Sequence, residues 1–199
     1  MEKKTVLEGL GLRKGWIYEA IVATYSGGKP HAAPMGVCTR DLRTLNVEAY
    51  KTAQTCRNIS SGGCFTLNYA KDPSLFHASL YDKESLRYER AKKIAAPLLK
   101  DADACMEVSV IDAIDLGNRI GFAGEIISYA QKGSAFPLVN RAEALAIECL
   151  IAASKVPYTS GREKEFLLEY LTYIRRAVSK VAPGSAAEKL VEKVCSGLE

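Results

Sequence analysis

The sequence predicts an α+β chain in which a small antiparallel barrel of about six strands is followed by a helical C-terminal part. Three observations predict it. Six short runs, β-branched, aromatic or alternating, fill the chain up to residue 129. The early ones are joined too tightly for crossover helices, except between the third and fourth, which disfavours a parallel βαβ fold. From Asn140 onward the period becomes that of amphipathic helices, and strands followed by helices define the α+β class. The division falls at residues 1–135 and 136–199.

Gly9, Gly11 and Gly15 follow no strand and fit neither a dinucleotide nor a P-loop spacing, so residues 1–15 read as an irregular lead-in. Residues 16–24 (WIYEAIVAT) are apolar on both faces, as a barrel strand is once its outer face is covered. Ser26-Gly27-Gly28-Lys29 supplies a hairpin turn. Residues 31–39 (HAAPMGVCT) form a strand of small residues holding both Pro34 and Gly36. Proline removes a ladder donor and predicts an edge or bulge; a strand glycine marks close approach of a ligand or backbone. After the polar turn Arg40-Asp41-Leu42-Arg43, residues 45–50 (LNVEAY) alternate as a third strand. Residues 64–69 (CFTLNY) are the fourth. Asp72-Pro73 breaks it, and residues 81–93 (YDKESLRYERAKK) lack apolar periodicity, which predicts a solvated insertion that runs on into the apolar Ile94 to Leu99. Residues 106–114 and 120–129 complete the six, with turn residues Asp115-Leu116-Gly117-Asn118 between them.

Asn140 with Glu143, Ser160 with Glu163 and Ser185 with Glu188 each show a polar residue followed three positions later by glutamate, the pattern of a capping box. Each opens an apolar stripe. The stripes are Ala142, Leu145, Ala146, Leu150 and Ala153; then Phe166, Leu167, Tyr170, Leu171, Ile174, Ala177 and Val178; then Leu190, Val191 and Val194.

A net charge of +4 comes from 27 basic and 23 acidic residues without a long basic block, which suits an anionic small ligand as well as weak nucleic-acid affinity, and no nucleic-acid recognition motif accompanies it. No stretch has the length of a membrane span or the form of a signal peptide, and six cysteines occur without a C-x-x-C pair. Reduced thiols in a cytoplasmic protein follow as the expectation. His31 and His77 lack partners at metal-ligand spacing, so no metal site is expected, and no hydrolase signature is present. No catalytic residue is identified. Glu19, Glu48, Glu107 and Glu125 fall within strands, where pairing with arginines such as Arg119 or Arg141 accounts for them.

The chemistry concentrates at residues 50–68, YKTAQTCRNISSGGCFTLN. Lys51, Thr52, Thr55, Arg57 and Asn58 cluster where a helix begins, so side-chain donors and first-turn N–H groups could converge on one phosphate. Helix capping explains the threonines and asparagine equally well when they are taken alone.

Thr55-x-x-Asn58-Ile59 with Gly62-Gly63-x-Phe65 and Asn68 resembles the T-x-x-N-I…G-x-F-x-x-N segment of the flavin-reductase-like FMN-binding split barrels. More closely, EAIVAT at residues 19–24, HAAPMGV at 31–37 and NRAEALAIECLI at 140–151 resemble the archaeal DUF447 family of that fold. The resemblance implies a six-stranded split barrel, FMN near a homodimer interface and a helical C-terminal extension. Members tend to end the first long helix with Thr-Arg, where this chain has Ala153-Ser154-Lys155, so a ligand contact from that helix end is not carried over.

On that basis Lys51, Thr52, Thr55 and Arg57, with Asn58, are expected at the FMN phosphate. Pro34 and the backbone of Met35, Gly36 and Val37 are expected along the isoalloxazine, and Asn118, Arg119 and Asn140 close the site from the other subunit. A flavin oxidoreductase taking hydride from a nicotinamide or deazaflavin is the leading reading, since the flavin supplies the redox chemistry. A non-catalytic flavoprotein is the second, and a flavin-free interaction or nucleic-acid module the third.

Overall fold

The computed structural model describes residues 5–198. It divides into two compact units, one formed by the chain up to Lys14 with Tyr18–Val139, the other by Gly15–Ile17 with the chain from Asn140 onward.

The first unit opens with a one-turn helix, α1 (Val6–Gly9), where the sequence predicts irregular chain; Thr5 caps it through the Glu8 N–H. Six strands then close a barrel: β1 (Ile17–Ser26), β2 (Lys29–Cys38), β3 (Leu45–Tyr50), β4 (Cys64–Tyr69), β7 (Ala104–Asp115) and β8 (Arg119–Gln131). Their order around the barrel is β1-β2-β3-β8-β7-β4. Helix α2 (Gln54–Gly62) joins β3 to β4. Gly27 and Gly28 turn the β1–β2 hairpin with φ of 56° and 81°, a pair of positive values that glycine adopts without strain.

One ladder is interrupted. β2 pairs with β3 at Val37↔Val47 and Cys38↔Asn46, and no further. Continued, that register would set Met35 against Ala49 and Ala33 against Lys51. Pro34, whose missing N–H is tolerated at an edge, lies on the open side of the break. Ala32 packs in an outer cluster and Val37, five residues on, is buried at the ladder's end, so the strand keeps its alternation and Pro34 marks an edge rather than a bulge.

The expectation of a solvated insertion needs correction. Between β4 and β7 run α3 (Pro73–Tyr81), a 3₁₀ turn (Lys83–Ser85) and a two-stranded clip, β5 (Tyr88–Arg90) with β6 (Pro97–Leu99). Leu75, Phe76, Ala78, Leu86, Tyr88, Leu99 and Ala102 pack over Ile21, Ala23 and Ala32. This is the cover that the two-faced β1 requires. Buried polar groups fasten the clip to the barrel: Thr66 donates to the Pro97 carbonyl at 2.6 Å, and Asn68 accepts the Leu99 N–H at 2.8 Å while donating to Ile21 O and Thr66 Oγ1.

The second unit contains α4 (Ala142–Lys155), α5 (Gly161–Val181) and α6 (Ala186–Ser196). Of the three predicted caps, two make a side-chain bond: Ser185 Oγ accepts the Glu188 N–H while the Glu188 carboxylate accepts the Gly184 N–H, and Asn140 Oδ1 accepts the Ala142 N–H at the start of α4. Ser160 makes no side-chain cap bond. The α4 stripe is also corrected, to Ala142, Ala146, Cys149 and Ala152, because Leu150 is 46% exposed. On α5 the buried line is Leu167, Leu171, Ile174, Val178 and Val181, leaving Phe166 outside. On α6 it is Val191 and Cys195, with Leu190 outside. No helix among the described residues is long and apolar enough to cross a membrane.

Candidate functional site

The break between β2 and β3 opens beside the start of α2. β3 ends at Tyr50, the chain turns through Lys51, Thr52 and Ala53, and α2 begins at Gln54. The residue at the helix cap is Ala53, which has no side-chain acceptor for the first-turn N–H groups. Capping therefore does not explain the threonines. The nine-residue helix presents the positive end of its dipole, with donors around it, toward the turn.

Lys51 Nζ pairs with Asp115 at 2.7 Å, both side chains being well exposed, and such a surface pair costs little to exchange for another anion. Arg57 folds back over the turn, donating at 2.8 Å to Thr52 O and at 2.8 Å to Gln54 Oε1. Thr55 is 3% exposed and meets His31 Nε2 at 3.1 Å. Lys51, Thr52, Thr55 and Arg57 are thus together at one helix end. Asn58, also predicted there, instead fastens α2 to β1: it donates to Thr24 Oγ1 at 3.0 Å and accepts from Gln54 Nε2 at 2.7 Å.

Pro34, Met35 and Gly36 lie on the open edge of β2, with Gly36 exposed. Val37 lies inside the ladder rather than on that edge, and is fully buried. Asn118 and Arg119 reach this end within the same chain: the Asn118 carbonyl accepts the Lys51 N–H, and Arg119 pairs with Glu48 at 2.9 Å and stands over the Tyr50 ring at 5.3 Å. Asn140 belongs to the second unit. Its amide donates to Ile17 O and Val181 O and accepts the Ala142 N–H, so its polar atoms hold that unit together.

Two residues outside the predicted set add polar atoms on β2 and β3. His31 is half-buried against Thr55, and Asn46 carries a buried Nδ2 with no partner, on the β3 face that also bears Glu48 and Tyr50. Sequence distance hides His31, and regular alternation gives Asn46 the pattern of a surface residue. Four of the thiols are not activated: burial pushes Cys38, Cys64 and Cys105 up, and Cys149 to about 11. Among the described residues no group of three or more His, Cys, Asp or Glu could hold a metal ion.

A closed six-stranded antiparallel barrel with one interrupted ladder and a helix at the break is a split barrel of the flavin-reductase-like kind. Solved structures of that fold are similar to this one. The FMN-bound protein MM1853 from Methanosarcina mazei is 23% identical, with a TM-score of 0.55 over 96% of this chain and 98% of that one. Flavin reductase HpaC, solved with NADP+, is 21% identical, with a TM-score of 0.53 over 60% and 81%. A flavoredoxin from Methanosarcina acetivorans is 18% identical, with a TM-score of 0.52 over 66% and 76%. The chain belongs to the DUF447 family, whose N-terminal domain, described as a protein of unknown function, matches residues 18–132.

Proposed function

We propose that this chain binds FMN at the break between β2 and β3 and acts as a flavin-dependent oxidoreductase. The observation that carries the reading is the uncapped start of α2 beside an open strand edge. The donor set fits the group. Lys51, Thr52, Thr55 and Arg57 would hold the phosphate, and the edge formed by Pro34, Met35 and Gly36 would lie along the ring. Asn118 would fix the Lys51 backbone, and Arg119 would fix Tyr50. Asn58, Val37 and Asn140 are assigned structural roles. Bound FMN would supply two-electron redox chemistry, with the polypeptide providing orientation and electrostatics. Family membership and the FMN-bound and NADP+-bound structures of this fold support the reading.

A reduced nicotinamide or a deazaflavin is the proposed donor. Anaerobic addition of NADH, NADPH or a reduced deazaflavin is expected to bleach the bound flavin. No bleaching with any of them would favour a flavin carrier that does not turn over these donors. Thr55→Ala with Arg57→Ala is expected to weaken FMN binding by roughly a hundredfold, two charge-assisted or buried contacts at about 1.4 kcal/mol each. Unchanged affinity would refute the phosphate assignment.

Tyr50, Ile111, Ile114 and Leu116 are large apolar residues left exposed around the β7–β8 turn. Adjoining exposed apolar groups favour an interface, and a homodimer is proposed there. Light scattering is then expected to give twice the 21.6 kDa chain mass, and a monomer would contradict it. A cytoplasmic location is proposed from the six free thiols.

A further inference from the structure

His31 and Thr55 are 24 residues apart in sequence and meet at 3.1 Å where β2 passes the first turn of α2. A hydroxyl has one proton to give. If Thr55 gives it to Nε2, the hydroxyl faces an incoming anion with lone pairs alone. If Nε2 carries the proton and donates to Oγ1, the hydroxyl proton is free to point at the anion. The heavy-atom geometry serves both arrangements, and an anion at this helix end selects the second.

Resting on the FMN reading above, we propose that His31 is a positioning residue for the flavin phosphate. It donates from Nε2 to Thr55, so that Thr55 donates to the phosphate, and phosphate binding draws a proton onto the imidazole. In the free protein burial, and then the charge of Lys83, hold the imidazole below its usual range, so it is neutral near pH 7. Of the other charged or titratable groups on elements around β2, three have partners of their own. Arg57 of α2 is bonded to Thr52 and Gln54, His77 of α3 packs its ring on Tyr81, and Glu48 of β3 pairs with Arg119. Asp82 and Glu84 flank Lys83 in the turn after α3. From β1, Thr24 and Ser26 present neutral hydroxyls to α2.

The sign follows by linkage. A dianion beside the relay favours the protonated ring, so the bound-state value lies above the free one, and FMN takes up a proton in the window between them. Affinity then rises as pH falls through that window, down to the phosphate's own second pKa of about 6, by up to about tenfold for each unit of upward movement.

The chain has two histidines, so His77→Gln leaves one imidazole to follow by NMR titration. Its midpoint is expected to rise by about one unit with FMN and to stay in place with riboflavin, which lacks the phosphate. His31→Gln keeps a donor and is expected to hold FMN within about threefold of wild type at pH 8, while losing the extra affinity at lower pH. His31→Leu is expected to bind FMN about tenfold more weakly, with riboflavin binding unchanged. FMN that is visibly bound but leaves the midpoint where it was, or riboflavin that moves it equally, would overturn the role of His31 and leave the FMN reading intact. Failure of FMN to bind at all would remove both.

Discussion

Replacing Glu107 by alanine is expected to lower the melting temperature by roughly 10 °C, from about 3 kcal/mol of lost stability. Glu107 is 3% exposed on β7, and its carboxylate accepts the N–H groups of Lys92, Lys93 and Ile94 at 3.1, 2.7 and 3.1 Å. Those three donors lie in the turn between β5 and β6, and truncation leaves them without their acceptor. Hydrogen exchange should therefore quicken first at residues 92–94. Glu107→Gln keeps an acceptor oxygen and should cost less. Burial works to raise this carboxyl, but the N–H groups of Lys93 and Lys92, then the Ser128 hydroxyl and the Ile94 N–H, outweigh it and hold it below the usual range. With a depressed folded value, the stabilisation is complete above the unfolded carboxylate pKa of about 4.3 and is lost as pH falls through the folded value. The gap between wild type and Glu107→Ala should thus be widest at neutral pH and close on acidification. A gap that does not vary with pH would contradict the ionised nest.

The second large effect is expected at Gly124 in β8. A Cβ built there lies 2.4 Å from Val108 Cγ1 and 2.9 Å from the Ser109 carbonyl oxygen. A rotamer change can displace the valine, but the carbonyl is backbone and belongs to the paired strand. Gly124 is also held on both sides, opposite Leu45 of β3 and Val110 of β7, next to a register shift that leaves Ile111 unpaired. Gly124→Ala must therefore move a strand, and a cost of about 3 kcal/mol, with a fall near 10 °C, is expected. Gly9→Ala, with nothing within 4 Å, is the matched control and should melt within about 2 °C of wild type. Equal melting of the two variants would show that the barrel wall gives at this point.

The barrel was legible where its information is local. The runs LNVEAY and CFTLNY coincide with β3 and β4, and Pro34 with Gly36 marks the edge at which the β2–β3 ladder stops. Lys51, Thr52, Thr55 and Arg57 were legible as a group because they are neighbours along the chain. What failed depends on distant partners. Asn140 caps α4 at the Ala142 N–H as its pattern indicates, but its amide NH2 is held by Ile17 and Val181, 123 and 41 residues away. Residues 81–93 lack an apolar period, and the clip they begin is fastened through its backbone by Thr66, Asn68 and Glu107, bonds that leave no trace in its own sequence. Asn58 matches a motif for one reason and is buried for another, since its partners are Thr24 and Gln54. His31 becomes informative only when β2 is set beside α2.

The start of α2 and the open edge of β2 are proposed to form one FMN site, and everything said of function depends on it. The most direct measurement is the visible spectrum of the purified chain, followed by equilibrium titration of the flavin-free protein with FMN and with riboflavin. Flavin absorbance that is released as FMN on denaturation, and binding of FMN at least about tenfold tighter than riboflavin, are the predicted results. A colourless protein that binds neither, or one that binds both equally, would contradict the site described.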